Sequence, residues 1–311
     1  MYDNSIAETT APSFLSIARW EKYIELCKPK VVLLILFTAV VGMLLSTPGL
    51  LAWDTMLFAT LGIGLAAASG AAINQLVERH IDAVMERTQL RPLPHGDLDS
   101  RGALLFALGL GAIAMLILVL FVNILTAILT FFSLIGYAVI YTMFLKRSTP
   151  QNIVLGGAAG AAPPVLGWTA MTGEIHSEAL LLFLIIFIWT PPHFWALAIR
   201  RREEYAKAGI PMLPVTHGVP FTKLQILLYT IMLVVVTVLP FITQMSGLIY
   251  LAGAMALGIG FLRYSIALYR SDTDNLAMKT FSYSIFYLSL LFAFLLADHY
   301  ARVFLRAFVL G

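Results

Sequence analysis

The stretch Asn74-Gln-Leu-Val-Glu78-Arg-His-Ile-Asp82 sets one amide and two carboxylates four residues apart. On a helix that interval turns by about 40° and climbs about 6 Å, so all three groups share a face. Hard oxygen donors of this kind suit Mg²⁺, which binds one or two carboxylates together with substrate phosphates. Arg87 and Arg91 follow on the same interval, and guanidinium forks match phosphate oxygens. Acid for a metal and base for phosphate in one short stretch describe a metal–diphosphate site. The same residues would equally make an interfacial helix stitched by acid–base pairs.

A second chemical region reads Trp189-Thr-Pro191-Pro192-His193-Phe-Trp195 and continues into Arg200-Arg-Arg-Glu203-Glu204-Tyr205. The proline pair is expected to break its helix, freeing backbone groups that only a protein-lined cavity tolerates in lipid. His193 follows directly, and ionisable groups at depth usually face a site. A neutral imidazole there could ligate iron, or it could simply pack and hydrogen-bond. Glu203, Glu204 and Tyr205 could form a second acidic cluster facing the first, or pair with Arg200–Arg202. Between the two regions lie Tyr141, Lys146, Arg147 and Asn152, then Gly156, Gly157, Gly160 and the pair Pro163-Pro164. Small residues four apart allow close helix packing, the role given to these glycines. Lys146 and Arg147 fall at the level of both acidic clusters, where they could contact diphosphate.

The elements that hold these residues are read from composition. Of 311 residues 60% are hydrophobic and 12% charged, and the mean hydropathy is +0.88. A soluble domain carries roughly a quarter charged residues, so this chain reads as an all-α integral membrane protein. Apolar runs bounded by charge, Pro or Gly give nine spans, near 31–48, 55–77, 102–121, 124–144, 151–170, 179–199, 224–243, 247–268 and 281–299. Each must be helical, since a lone strand in lipid leaves its backbone unpaired. With the N-terminus cytoplasmic, only Arg302 and Arg306 of the 20 Lys and Arg residues fall outside, as positive-inside topology requires. The single cysteine, Cys27, excludes an internal disulfide and a CxxCH haem attachment. Residues 1–18 lack signal-peptide and transit-peptide patterns, which points to a bacterial inner membrane. The expected organisation is a cytoplasmic tail over 1–24, one transmembrane domain over 25–300 and a tail over 301–311.

Four segments carry a family resemblance: ELCKPKVVLLILFTAVVGM at 25–43, NQLVERHIDAVMERTQLRPLPHG at 74–96, YTMFLKRSTPQNIVLGGAAGAAPPVLGW at 141–168 and WTPPHFWALAIRRREEYAKAGIPMLPV at 189–215. Together they resemble the UbiA-type intramembrane prenyltransferases, and the last is similar to the branch that farnesylates protohaem IX. The resemblance implies a UbiA-like bundle of nine helices, with Asn74, Glu78 and Asp82 as the first metal–diphosphate motif. It implies diphosphate contacts from Arg87, Arg91, Lys146 and Arg147, with Lys28 or Lys30 as weaker candidates. Glu204 with Tyr205 resembles the second acidic motif, Glu204 being a further metal ligand. Glu78 stands where many relatives have Asp, His80 replaces an acidic residue common two before Asp82, and the second DxxxD pattern of the wider superfamily is absent. The reaction implied is farnesyl diphosphate plus haem B giving haem O, with Mg²⁺ as cofactor and His193 at the haem. Membrane lipid surrounds the protein, and haem A synthase or a terminal oxidase is a further partner. No nucleic acid is expected. An aromatic-acceptor prenyltransferase and a transporter are the rival readings. Charged motifs gathered at one face, without a paired repeat, speak against the transporter.

Overall fold

The computed structural model describes residues 17–47, 49 and 52–310; the expected tail lies outside the described residues up to position 16. Among the described residues there is no strand. The helices are α1 (Ile17–Leu26), α2 (Pro29–Ser46), α3 (Trp53–Asp82), α4 (Pro92–His95), α5 (Ser100–Phe121) and α6 (Ile124–Ile135). A π-helical segment, Gly136–Leu145, runs into α7 (Lys146–Ser148). Then come α8 (Asn152–Ala161), α9 (Pro163–Thr172), α10 (Ser177–Arg200), α11 (Arg202–Lys207), α12 (Leu213–Thr216), α13 (Gly218–Val236), α14 (Leu239–Ile242), α15 (Leu248–Arg270) and α16 (Asn275–Leu310).

Nine of the described helical stretches are long and apolar enough to cross a membrane. This is a multi-pass, all-α membrane protein, with span positions close to those expected from the apolar runs. The tight hairpin at 122–123 is fixed by Asn123, whose side chain accepts a hydrogen bond from the Thr126 amide at 2.8 Å and so caps α6. Packing closes a ring that runs from α2 through α3, the π-helical segment, α8, α10, α13, α15 and α16 back to α2. At 30 residues, α3 outlasts the apolar run and carries Asn74, Glu78 and Asp82 on its last turns.

Three features differ from the sequence expectation. The pair Pro191–Pro192 does not break α10, which is continuous from Ser177 to Arg200. Each proline removes one helical hydrogen bond. Neighbouring helices can hold such a stretch helical in lipid, and here α8, α13 and α16 pack around a buried Trp189–His193 turn. Arg87 and Arg91 do not extend the four-residue ladder, because α3 ends at Asp82. The Thr88 hydroxyl turns the chain there by donating to the Asp82 carbonyl at 2.9 Å. Finally, α16 continues to Leu310, through the segment expected as a tail. Its buried Asp298 accepts from the Gly247 amide at 2.6 Å and the Tyr250 amide at 3.3 Å, capping α15, and pairs with Arg302 at 3.0 Å.

Helices α2 and α9 approach backbone to backbone. A Cβ on Gly167 would run into the Ala39 carbonyl, and one on Gly42 into the Pro164 carbonyl. Neither obstacle is a flexible side chain. Gly167→Ala is therefore expected to cost about 3 kcal/mol, the upper range for overpacking, and to lower the apparent Tm in detergent. Gly160→Ala, whose Cβ meets nothing within 4 Å, should leave the melting curve unchanged.

Candidate active site

Asn74, Glu78 and Asp82 are 3%, 4% and 3% exposed, so the amide and both carboxylates are withdrawn from water. Each is met by a cation from a different element. Lys28 Nζ donates to Asn74 Oδ1 at 2.5 Å, Lys146 pairs with Glu78, and Arg91 Nη1 pairs with Asp82 Oδ2 at 2.7 Å. Asn74 Nδ2 donates to Thr142 Oγ1 at 3.2 Å. Three cations against two carboxylates leave the cluster with one positive charge in excess.

Local backbone chemistry delivers each cation. Lys28 sits between α1 and α2 in the left-handed region, φ 50° and ψ 62°, a conformation that costs an L-residue about 1 kcal/mol. Pro29 opens α2 directly after it, where a missing amide hydrogen is harmless. Gln75 Nε2 donates to the carbonyls of Glu25 and Leu26 at 3.1 and 3.2 Å, tying the end of α1 to α3. The π-helical segment lengthens each turn, with Thr142 Oγ1 donating to the carbonyl of Tyr137, five residues back, at 2.8 Å. Lys146 follows at its end. Asn152 Nδ2 holds the Lys146 carbonyl at 3.1 Å. Arg91 is folded back by the Thr88 turn, its amide donating to the Thr88 carbonyl at 3.0 Å.

The second region approaches from α11. Tyr205 is half-buried and lies within the fields of Arg87, Arg201 and Glu78; burial pushes its phenol pKa up, against the pull of the two arginines. Glu204 turns a buried Oε2 toward no hydrogen-bond partner. Arg202 pairs with Asp274 at 3.2 Å instead of with Glu203 or Glu204. Arg147 is not brought to Glu78; it lines a groove with His80 and Lys207. Lys30 is exposed, and Lys28 is the basic residue that reaches the site. His193 is buried, stacked between Trp189 and Phe281 at 4.2 and 4.5 Å, with Nδ1 2.7 Å from Ser284 Oγ.

Among the described residues no three His, Cys, Asp or Glu side chains converge as a closed metal cage. Two carboxylates and an amide on one face fit an ion that keeps most of its coordination for phosphate and water, as Mg²⁺ does. The orphaned Glu204 oxygen is a further donor without a partner.

Residues 35–292 match the UbiA prenyltransferase family. The chain belongs to that family. Among curated UbiA relatives, the protoheme IX farnesyltransferase of Thioalkalivibrio sulfidiphilus (strain HL-EbGR7) is 68% identical over 284 residues, covering 91% of this chain and 94% of that protein. The protoheme IX farnesyltransferase of Nitrosococcus oceani is 62% identical, covering 93% of this chain and 97% of its own. A solved digeranylgeranylglyceryl phosphate synthase shares the UbiA fold at a TM-score of 0.78 and 19% identity, over 91% of this chain and 99% of that one. A UbiA homolog from Archaeoglobus fulgidus, bound to GPP and Mg²⁺, superposes at 0.60 with 17% identity over 88% and 99%.

The pairing of Glu78 with Lys146 makes a stability prediction for this UbiA member. Glu78→Gln leaves the Lys146 ammonium without its partner, and breaking a buried pair costs about 3–5 kcal/mol. Lys146 is 17% exposed, so a loss at or below the low end is expected, read as a lower apparent Tm. Glu78→Gln combined with Lys146→Gln should regain most of it.

Proposed function

We propose that this chain transfers the farnesyl group of farnesyl diphosphate to a vinyl group of protohaem IX, with water addition, giving haem O and diphosphate. The observation that carries the reading is 68% identity across 91% of the chain to a relative named for that transfer. The buried face of α3, with its ring of three cations, supports it from the chemistry.

Asn74, Glu78 and Asp82 would hold a divalent cation, with Glu204 as a further oxygen donor. A bound Mg²⁺ supplies Lewis-acid charge at the leaving diphosphate. Lys28, Arg91 and Lys146 meet the phosphate oxygens, joined by Arg87, while Arg147 is turned into the neighbouring groove. Tyr205 lies in the field of Arg87. These charges stabilise the diphosphate as it departs with the electron pair of the broken C–O bond. The allylic cation left behind is shielded from water by the apolar bundle and is attacked by the porphyrin vinyl group. Water then adds to the new cation beside the ring and loses a proton, which gives the hydroxyl of haem O.

The proposed setting is a bacterial inner membrane, with the N-terminus and the active site cytoplasmic and haem A synthase or a terminal oxidase receiving the product. His193 is the residue we assign to the haem. Its Nδ1 faces Ser284, which leaves Nε2 as the nitrogen open to iron, in the way a hydrogen-bonded second nitrogen orients a ligating imidazole.

Glu78→Gln with Lys146→Gln, and likewise Asp82→Asn, should form no haem O from farnesyl diphosphate and haem B, even where the melting curve is restored. Haem O formation at the parental rate would remove these residues from the site.

The pH dependence follows from Lys28. Burial, then the nearby Arg91 charge, draw its ammonium down from 10.5 to about 8, with Glu78 and Asp82 pulling the other way. Because the folded pKa is depressed, the unfolded chain holds more protons between about 8 and 10.5, so this group adds stability as pH climbs through that window. Diphosphate contact behaves oppositely and needs the charged amine. KM for farnesyl diphosphate is expected to rise severalfold above pH 8 with kcat less affected. Lys28→Arg should flatten that inflection.

His193→Ala should weaken haem B binding at least tenfold and shift the haem absorption spectrum, while a non-cleavable farnesyl diphosphate analogue binds within twofold of the parent. Equal losses for both ligands would assign His193 to packing alone.

A further inference from the structure

The stripe of α3 next to the diphosphate face has its own surroundings. Ile81, Val77 and His80 lie about 60°, 100° and 160° round the helix from the Asn74, Glu78 and Asp82 stripe. With Met143 and Arg147 at the end of the π-helical segment, and Lys207 at the end of α11, they line a groove of about 410 Å³. Its floor is apolar, from Val77, Ile81 and Met143. Its rim is basic, from the exposed His80, Arg147 and Lys207. None of these three rim residues has a hydrogen-bond or ion-pair partner among the described residues. Their counterparts in the active site, Lys28, Arg91 and Lys146, are all engaged.

We propose that this groove binds the anionic headgroup of a bilayer phospholipid. Three observations converge on that occupant. The groove lies at the end of α3, beside Glu78 and Asp82, where that apolar span ends. Below its rim the π-helical segment exposes Ile140, Met143 and Phe144, at 51%, 48% and 61%, a face on which an acyl chain can lie. The rim offers unpaired positive charge and the lining contains no carboxylate. That last point separates a phospholipid phosphate from a prenyl diphosphate, which would arrive with a divalent cation and require acidic ligands. The seated headgroup would join α11 to the end of α3, two residues from Tyr205 and beside the turn that carries Arg87.

The test is native mass spectrometry of the full-length protein, released from nanodiscs of phosphatidylcholine mixed with phosphatidylglycerol. One phosphatidylglycerol should be retained in preference to phosphatidylcholine. A basic residue at an anionic membrane surface contributes about fivefold to binding, so Arg147→Ala with Lys207→Ala should lower retention about twenty-five-fold. Arg263→Ala with Arg270→Ala, exposed residues of α15, should leave it unchanged. Lys207→Glu alone, at one exposed position, gives the same readout if the double variant is poorly folded. Equal retention of the two lipids, or undiminished phosphatidylglycerol in the Arg147 and Lys207 variants, overturns the proposal. So does release of the bound lipid by a farnesyl diphosphate analogue without metal, which would make the groove a site for the donor.

Discussion

Taking an ionised carboxylate out of water costs several kcal/mol even after its surroundings relax, and this bundle does so twice on one helix. Glu78 and Asp82 are four residues apart, so their like charges also repel across a single turn. A carboxylate buried in that way calls for a cation brought to it. Lys146 and Arg91 fill those places, and Lys28 adds a third positive charge through Asn74. Three otherwise unrelated pieces of backbone serve this one requirement. They are the left-handed residue before α2, the widened turns before α7, and the Thr88 turn after α3.

The same arrangement prepares the site for an anion. Its polar groups are dehydrated and oriented when the chain folds, so an incoming diphosphate meets fixed charges with little left to reorganise. Preorganisation of this kind is what makes electrostatic stabilisation of a leaving group effective. The excess positive charge favours a highly anionic ligand over a neutral one. The acidic groups supply what the cations cannot, oxygen donors for a metal. Loss of one partner leaves the other charged and buried, which is why stability and chemistry at Glu78 are separable only by removing both members of the pair.

Much of this was legible in the residues themselves. Apolar runs set the nine spans because lipid admits only helices there, and the four-residue interval placed Asn74, Glu78 and Asp82 on one face. Lys28 was underrated since nothing in Lys-Pro-Lys announces a left-handed turn that aims the first lysine inward and leaves Lys30 exposed. Lys146 and Arg147 read alike as adjacent basic residues, yet consecutive side chains on a helix point about 100° apart. The π-helical turns decide which of the two meets Glu78. Proline chemistry was read correctly and its outcome was not, because lateral packing around Pro191 and Pro192 is a tertiary effect. Asp298 shows locally only its i,i+4 pairing with Arg302, since the amides it caps lie some fifty residues away at the start of another helix.

The length of α3 has a consequence for where this protein can work. Its 30 residues span about 45 Å, against a hydrocarbon core of about 30 Å. The turns bearing Asn74, Glu78 and Asp82 lie at or past the end of the apolar run of the helix and are roofed by protein. Hydrophobic mismatch acts on that overhang. A thicker bilayer takes up more of its length and raises the cost of admitting diphosphate, whereas a thinner one increases the mismatch and tilts the helix further. Membrane thickness thus becomes a parameter of substrate access, set by the host's acyl chains as well as by this sequence.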